Sequence, residues 1–536
     1  MSEMDSGEDS FSGIGDDLAW HRLFWLGLLG ITAFRLWFLS VFPYDLSPDE
    51  AYYWDWSRHL SWGYYSKPPM VAWVIALSNS LLGTSEFSVR LPAAIFATIT
   101  LIALYALGTK MYDARTGFFS ALVFLATIGS AVSSMIMTID APLLCFWAVS
   151  MVLVWQAWRL SRFEEPGGLS LLWWTFAGAV TGLGLLSKQT MMGFSAGIIL
   201  FILLYPRARR LLADLEPYFF LAVQISLLFP VIDWNQRHNW VTLQHTAHHF
   251  ESSSKTMIPN LKTFIELLGT QAGIVTPIIF ILLLLVSGCL LWRFIRGVLS
   301  KRIIARGFSD REAFLLAVGM IPLVAVFLLS FRQRINANWP APFYLSLGVL
   351  VSAWAMGWAR CNTWINRLRR FYVPGIGLGL SMVVLFYLFP VILGVLGWAG
   401  TRLDPTVRLK GWHELGQRAG DLLQGFPEPG KTFVVARRRQ TVSELAFYMP
   451  GRPEVYRWNG MKRHVTTQYE LWPGPVDKKG WDALIIIEKD KELKKDLISC
   501  FKAVKFIEQI DIPIGQERKR SFLAYRGVEM KHWAER

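Results

Sequence analysis

Long apolar runs broken by short polar loops dominate the first 400 residues. A membrane-crossing helix needs about 20 mostly apolar residues. Eleven stretches qualify, near 22–42, 88–108, 116–134, 141–160, 169–187, 190–206, 217–234, 274–296, 312–330, 341–359 and 372–398. The segment 69–83 is shorter and more polar, and reads as a helix lying along the interface. The pattern predicts a polytopic α-helical membrane protein of about 11 spans. The runs change after about residue 400. There, short strand-like runs (TFVVA, ALIII, SFLAY) alternate with helix-like stretches (TVSELAFYM, KELKKDLISCF). That alternation predicts a small α/β domain over 401–536. Residues 1–21 read as a disordered acidic leader, because their composition is acidic and Ser/Gly-rich.

Charge sets the orientation, since short cytoplasmic loops are enriched in Lys and Arg. With the N-terminus inside, Lys110, Arg115, Arg159, Arg162, Arg207, Arg209, Arg210, the 293–306 loop and Arg360, Arg367, Arg369 and Arg370 all fall on the cytoplasmic side. An odd span count then exports the C-terminal domain. Three segments are left outside: 43–87, 235–273 and the tail. Composition agrees: 53% of residues are apolar and 18% charged, against about 25% charged in soluble domains. The net charge of +14 is explained by the loop bias, so no nucleic-acid partner is expected. The four cysteines form no C-x-x-C pair, which argues against a zinc ribbon or a redox motif.

The densest polar cluster is LSPDEAYYWDWSRHLSWGYYSKPPM, residues 46–70. Asp49 and Glu50 sit just beyond the first span, where charge is costly and commonly marks function. An interfacial loop with aromatic anchors accounts for the same spacing. Lys67, before Pro68 and Pro69, is a cation on a stiff turn or a snorkelling lipid contact. Asp140, in TIDAPLL, falls on the same face and is either a helix cap or a second acidic site. His245 and His249 are spaced i,i+4 and could share a divalent metal, although no Glu or Cys completes a known spacing. Arg332, Arg334 and Arg90 lie at outer span ends, and Arg suits phosphate through its bidentate fork. Carboxylates and cations around apolar walls suit a reaction with an anionic leaving group on a lipid.

At these residues the chain resembles the polyprenyl-phosphate-sugar-dependent membrane glycosyltransferases of the GT-C fold. Members include protein O-mannosyltransferases, lipid A aminoarabinose transferases and rhizobial galacturonosyltransferases of lipopolysaccharide. The carrying motifs are SPDEAYYWDWSRHLSWGYYSKPPMVAW, SVRLPAA, TIDAPLL, GLGLLSKQTMMGF, DWNQRHNW and NANWPAPFY, in order over residues 22–400. The resemblance implies that 22–400 is a GT-C transmembrane domain. It makes Asp49 the essential carboxylate, followed by Glu50, and Asp140 the second acidic site. It makes Lys67 a contact to the donor phosphate, with Arg58 and Arg90 at family-like positions. In aminoarabinose transferases a metal-linked Glu precedes that Lys; here Ser66 stands there, which argues against aminoarabinose transfer.

The implied reaction moves a sugar from a polyprenyl-phosphate donor to a lipid or glycolipid acceptor, lipid A or another envelope glycolipid, with inversion. The site would face the periplasm of a bacterial inner membrane. Asp49 would take the acceptor proton, while Lys67 with Arg58, Arg332 or Arg334 would stabilise the leaving phosphate. The competing readings are protein O-mannosyl transfer, a lipid-linked sugar transporter or flippase, and a membrane scaffold.

Overall fold

The computed structural model describes residues 8–163, 168–251, 260–300, 308–461, 465–515 and 518–533. Each of the eleven expected spans coincides with a helix. Among the described residues, eight helices are long and apolar enough to cross a membrane. They are Asp17–Ser40, Glu86–Met111, Asp140–Arg162, Gly168–Leu185, Glu216–Arg237, Pro277–Leu299, Asp310–Ser330 and Thr363–Val395. The first helix begins at Glu8, upstream of the expected residue 22. The other three expected spans fall on the shorter apolar helices Ala114–Leu125, Gln189–Leu204 and Phe343–Ala355.

Local chemistry shortens those three. The 116–134 run breaks at Thr127, whose extended backbone and hydroxyl cap a second helix, Ile128–Ser133, through the Ser130 amide at 3.1 Å. The 341–359 run starts only after Pro340 and Pro342, and stops before Gly357 in the left-handed region at φ +96°. Lys188 and a 3₁₀ turn, Gln189–Met191, delay the third.

The chain divides into two compact units. Unit 1 holds Met1–Ser40, Leu91–Trp240 and Thr246–Tyr387; unit 2 holds Val41–Arg90, Val241–His245 and Leu388–Arg536. Unit 1 is a helical bundle whose core buries Trp147, Trp158, Trp174 and Trp354 completely. Arg35, inside the first span, is buried, with Tyr387 near it, and its Nε and Nη1 find no hydrogen-bond partner among the described residues.

Unit 2 carries the expected α/β fold. Its five strands are β1 (Thr432–Ala436), β2 (Val455–Arg457), β3 (Asp482–Glu488), β4 (Phe501–Pro513) and β5 (Lys519–Met530). The sheet order is β2-β1-β3-β5-β4. The first three strands are parallel, and β5 runs antiparallel to β3 and β4. The expected helix over KELKKDLISCF shrinks to Lys495–Ser499, because Phe501 already opens β4. The first connecting segment, expected with the membrane domain, packs with this fold instead. Asp45 receives the Trp412 amide at 2.7 Å. It thereby caps the helix Trp412–Gln424, whose own first flank, Gly411, has φ +81° and no side chain to do so. Tyr52 accepts the Gln468 amide at 2.6 Å, and Gln468 accepts the Tyr65 amide at 2.7 Å.

Small residues let two helices of unit 1 touch at the backbone. A Cβ on Gly108 would stand 2.7 Å from Gly117 Cα, and one on Gly117 would stand 2.6 Å from the Tyr105 carbonyl oxygen. Gly117→Val is therefore expected to cost about 1–3 kcal/mol by overpacking, read as a lower thermal midpoint in detergent. Gly30→Ala, with open space around it, should leave the midpoint unchanged. An equal effect at both sites would refute the close packing.

Candidate active site

The helix Pro48–Ser57 organises the site in unit 2. Ser47 caps it through the Glu50 amide at 3.3 Å, and Glu50 returns a bond to the Ser47 amide at 2.9 Å. This reciprocal capping box, with Pro48 in the first turn, fixes where the helix begins. Glu50 also binds Arg90, with Nε–Oε1 at 3.1 Å and side-chain exposures of 0% and 1%. Arg90 also donates to the carbonyls of Tyr44 at 3.0 Å and Asp45 at 2.7 Å. The phosphate-binding expectation for Arg90 and the catalytic one for Glu50 thus meet a closed, fully buried pair.

Asp49 faces the opposite way. Its side chain is 58% exposed and pairs with Arg439 at 2.8 Å. Both line a cavity of about 390 Å³, together with Arg408, Arg438, Arg520 and Trp412. Arg438 pairs with Asp490 at 2.6 Å, and Arg520 donates to the carbonyls of Lys410 and Val407. Four guanidinium groups, against the open Asp49 and the largely buried Glu488 beside Arg438, leave the cavity with an excess of positive charge that favours anions. None of these arginines was singled out in the sequence, because they lie more than 350 residues from Asp49.

Behind the helix, Glu444 is fully buried, with no hydrogen-bond partner for either oxygen among the described residues. Burial, helped by Asp45 and Glu50, pushes its carboxyl well above the usual range. At the other end of the helix, burial pushes the Asp55 carboxyl up to about 6, against the opposing pull of Arg58 and Tyr469. Arg58, expected on phosphate, lies 3.3 Å from Asp55 and over the Trp54 ring. Lys67 is half-buried, and its carbonyl accepts the Tyr64 amide at 3.3 Å. His245 meets the Tyr65 hydroxyl at 3.2 Å, while the His249 side chain lies outside the described residues. Among the described residues no three His, Cys, Asp or Glu side chains gather as a metal would require.

Asp140 belongs to unit 1. It opens the helix Asp140–Phe163, takes Lys188 at 2.7 Å and takes the Asn338 amide at 2.6 Å. Three separate sequence motifs, TIDAPLL, LLSKQT and NANWPAP, therefore meet on one carboxylate. Lys188 was missed as a site residue, although a lone cation between two apolar runs is a readable signal. Arg332 is exposed, and Arg334 lies 3.5 Å from Glu266 and is largely exposed.

Similarity to known proteins follows this geometry. Residues 66–234 match the family model described as dolichyl-phosphate-mannose-protein mannosyltransferase. The lipid A galacturonosyltransferase RgtD of Rhizobium johnstonii is 28% identical over 337 residues, 62% of this chain and 65% of that protein. The undecaprenyl phosphate-alpha-4-amino-4-deoxy-L-arabinose arabinosyl transferase of Pseudomonas paraeruginosa is 31% identical over 180 residues, 32% of this chain and 31% of that protein. The chain thus spans less than two thirds of either relative's length. ArnT from Cupriavidus metallidurans, solved bound to undecaprenyl phosphate, has the same fold, with TM-score 0.60 at 15% identity over 94% of this chain and 98% of that one. The chain is a multi-pass membrane protein with the GT-C fold. In sequence it is similar in part to dolichyl-phosphate-mannose-protein mannosyltransferases and to the lipid A galacturonosyltransferase RgtD.

Exposure separates the two neighbouring carboxylates energetically. Glu50→Ala would strand a buried guanidinium and should destabilise by about 3–5 kcal/mol. Asp49→Ala breaks an open pair worth about 0–1 kcal/mol. Thermal unfolding of the purified variants reads the difference, and equal midpoints would contradict it.

Asp55 adds a pH dependence. The folded carboxyl keeps its proton up to about pH 6, whereas an unfolded one releases it near 3.9. Its contribution therefore favours folding at acidic pH and is lost as pH rises from about 4 to 6, by ~3 kcal/mol at most. Unfolding midpoints between pH 4.5 and 7 should fall more steeply for the wild type than for Asp55→Asn; parallel curves would disprove this.

Proposed function

We propose that the chain is an integral membrane glycosyltransferase that moves a sugar from a polyprenyl-phosphate donor to lipid A or a related envelope glycolipid. The site and the α/β unit would lie on the periplasmic side of a bacterial inner membrane. One observation carries the reading: of two adjacent carboxylates, Glu50 is sealed into the frame, while Asp49 opens into an arginine-lined cavity. The GT-C fold and the relatives acting on lipid A or undecaprenyl-phosphate sugars support it.

In this reaction the acceptor hydroxyl attacks C1 of the donor sugar as the C1–O bond to phosphate breaks. Asp49 takes the hydroxyl proton, and the electron pair leaves on the phosphate. Lys67 and neighbouring guanidinium groups meet the growing negative charge, which is worth most in a water-poor site. A single displacement inverts the anomeric centre. The resemblance makes Asp140, held by Lys188 and Asn338 within unit 1, a second acidic site. Glu50 and Arg90 act as positioning residues.

Charge bears on the sugar. An arginine-rich cavity attracts a sugar acid of the kind named for the Rhizobium relative and repels an amino sugar. Ser66, in place of a carboxylate, points the same way.

Asp49→Asn should leave the fold intact and cut transfer by about 10²–10⁴ or more. Mass spectrometry of lipid A and envelope glycolipids, from a deletion strain carrying either allele, is the readout. A wild-type glycolipid profile from the Asn allele would end the assignment.

A further inference from the structure

Unit 2 has a second cavity, of about 370 Å³, reached from the opposite end of the Pro48–Ser57 helix. Its size falls in the range of about 300–1,000 Å³ typical of small-molecule sites. The transfer chemistry described above does not use it.

Its lining combines flat rings with fixed acceptors. Trp472 and Tyr456 contribute ring surface, and the His59 ring lies 4.5 Å from Trp472, centroid to centroid. The Tyr456 hydroxyl donates to Glu454 at 2.8 Å, which fixes that carboxylate on the wall. Asp55 adds a second carboxylate, with its side chain only 6% exposed. Arg58 meets one of its oxygens at 3.3 Å, and a carboxylate of two oxygens can accept further hydrogen bonds from a ligand in the cavity.

The charges decide among ligands. Glu454, Asp477 and Asp55 share the lining with Lys478 and Arg457. Arg457 is committed to Glu470 at 2.5 Å, and Lys478 lies 3.8 Å from Asp477. An apolar ligand would cover Glu454, Asp477 and Asp55 without meeting the acceptor capacity that Tyr456, Lys478 and Arg58 leave open. An anion would meet more negative groups than positive ones, the reverse of the arginine cavity. A cation would meet Lys478 and Arg457 on the same wall. An uncharged ring with many hydroxyls satisfies all of these constraints: its C–H face lies on the aromatic rings and its hydroxyls donate to the carboxylates.

We propose that this cavity is a binding site for an uncharged saccharide unit, the part of the acceptor that is gripped while another part reacts. Its acceptor role rests on the proposed transfer; the binding itself does not. Asp49 and Asp55 are six residues apart on one helix, about 9 Å along its axis. An acceptor of several sugars can therefore occupy the second cavity and present a hydroxyl near the first.

The test is saturation-transfer NMR on the purified full chain in detergent. The probes are methyl glucoside, methyl mannoside and methyl galactoside, with glucosamine and galacturonate as charged comparators. Saturable binding of at least one neutral methyl glycoside is expected, weakened tenfold or more by Trp472→Ala and by Glu454→Gln. Glu454 is exposed, so its variant keeps the test valid should loss of Trp472 disturb folding. The site is disproved if no neutral glycoside binds, if neither variant weakens binding, or if a charged comparator binds more tightly. Glycoside binding with no detectable transfer sinks the transfer reading alone; transfer with no glycoside binding sinks this site alone.

Discussion

A carboxylate and a guanidinium removed together from water must satisfy each other almost completely, because every unmet charge or hydrogen bond there costs several kcal/mol. Glu50 and Arg90 meet that demand with two mutual contacts, two backbone carbonyls and the amide that starts the helix. The consequence is rotational. Successive helix residues point about 100° apart, so a helix with Glu50 locked inward must present Asp49 elsewhere. The pair thereby decides which of two chemically similar neighbours opens into the cavity.

The same helix sets the electrostatic character of unit 2. Its first turn meets arginines drawn from the C-terminal fold, and its last turns meet carboxylates and aromatic rings. One cavity is built to hold negative charge and the other to hold neutral hydroxyls. On the proposed reading the two ends of a ten-residue helix would serve two parts of one reaction, with the sheet behind them supplying the stiffness. Asp45, capping a helix more than 360 residues away in sequence, shows how firmly the first connecting segment is tied to that sheet.

Span positions were legible because the bilayer imposes a single requirement, length in apolar residues, that a sequence displays directly. Asp49, Glu50, Lys67 and Asp140 were singled out through their motifs. Burial was not. Arg90 read as a phosphate ligand because its spacing from the membrane edge shows a cation, and only folding shows that Glu50 and two carbonyls already consume it. The arginines of the Asp49 cavity and the partners of Asp55 come from segments hundreds of residues apart, where no spacing rule applies. Strand β4 escaped because both its faces mix polar and apolar residues, a bulge between Phe506 and Glu508 breaks the alternation, and it follows directly on a helix-like stretch.

Exposure also ranks the ion pairs by what they can exchange. Glu50–Arg90 is sealed, Asp140–Lys188 is mostly buried, at 15% and 7%, and Asp49–Arg439 is open, at 58% and 24%. Opening the first would expose two desolvated charges to each other's absence, so it behaves as framework. Opening the last costs about 0–1 kcal/mol, which a hydroxyl or phosphate entering the cavity returns through its own contacts. A carboxylate that must receive a proton has to be able to part from its cation, and of these three pairs only Asp49–Arg439 is free to do so cheaply. Asp140–Lys188 lies between the extremes: its cation is buried enough to be held in place, and its carboxylate is open enough for Asn338 to reach it. Such a pair suits a fixed electrostatic support better than a group that gains and loses a proton.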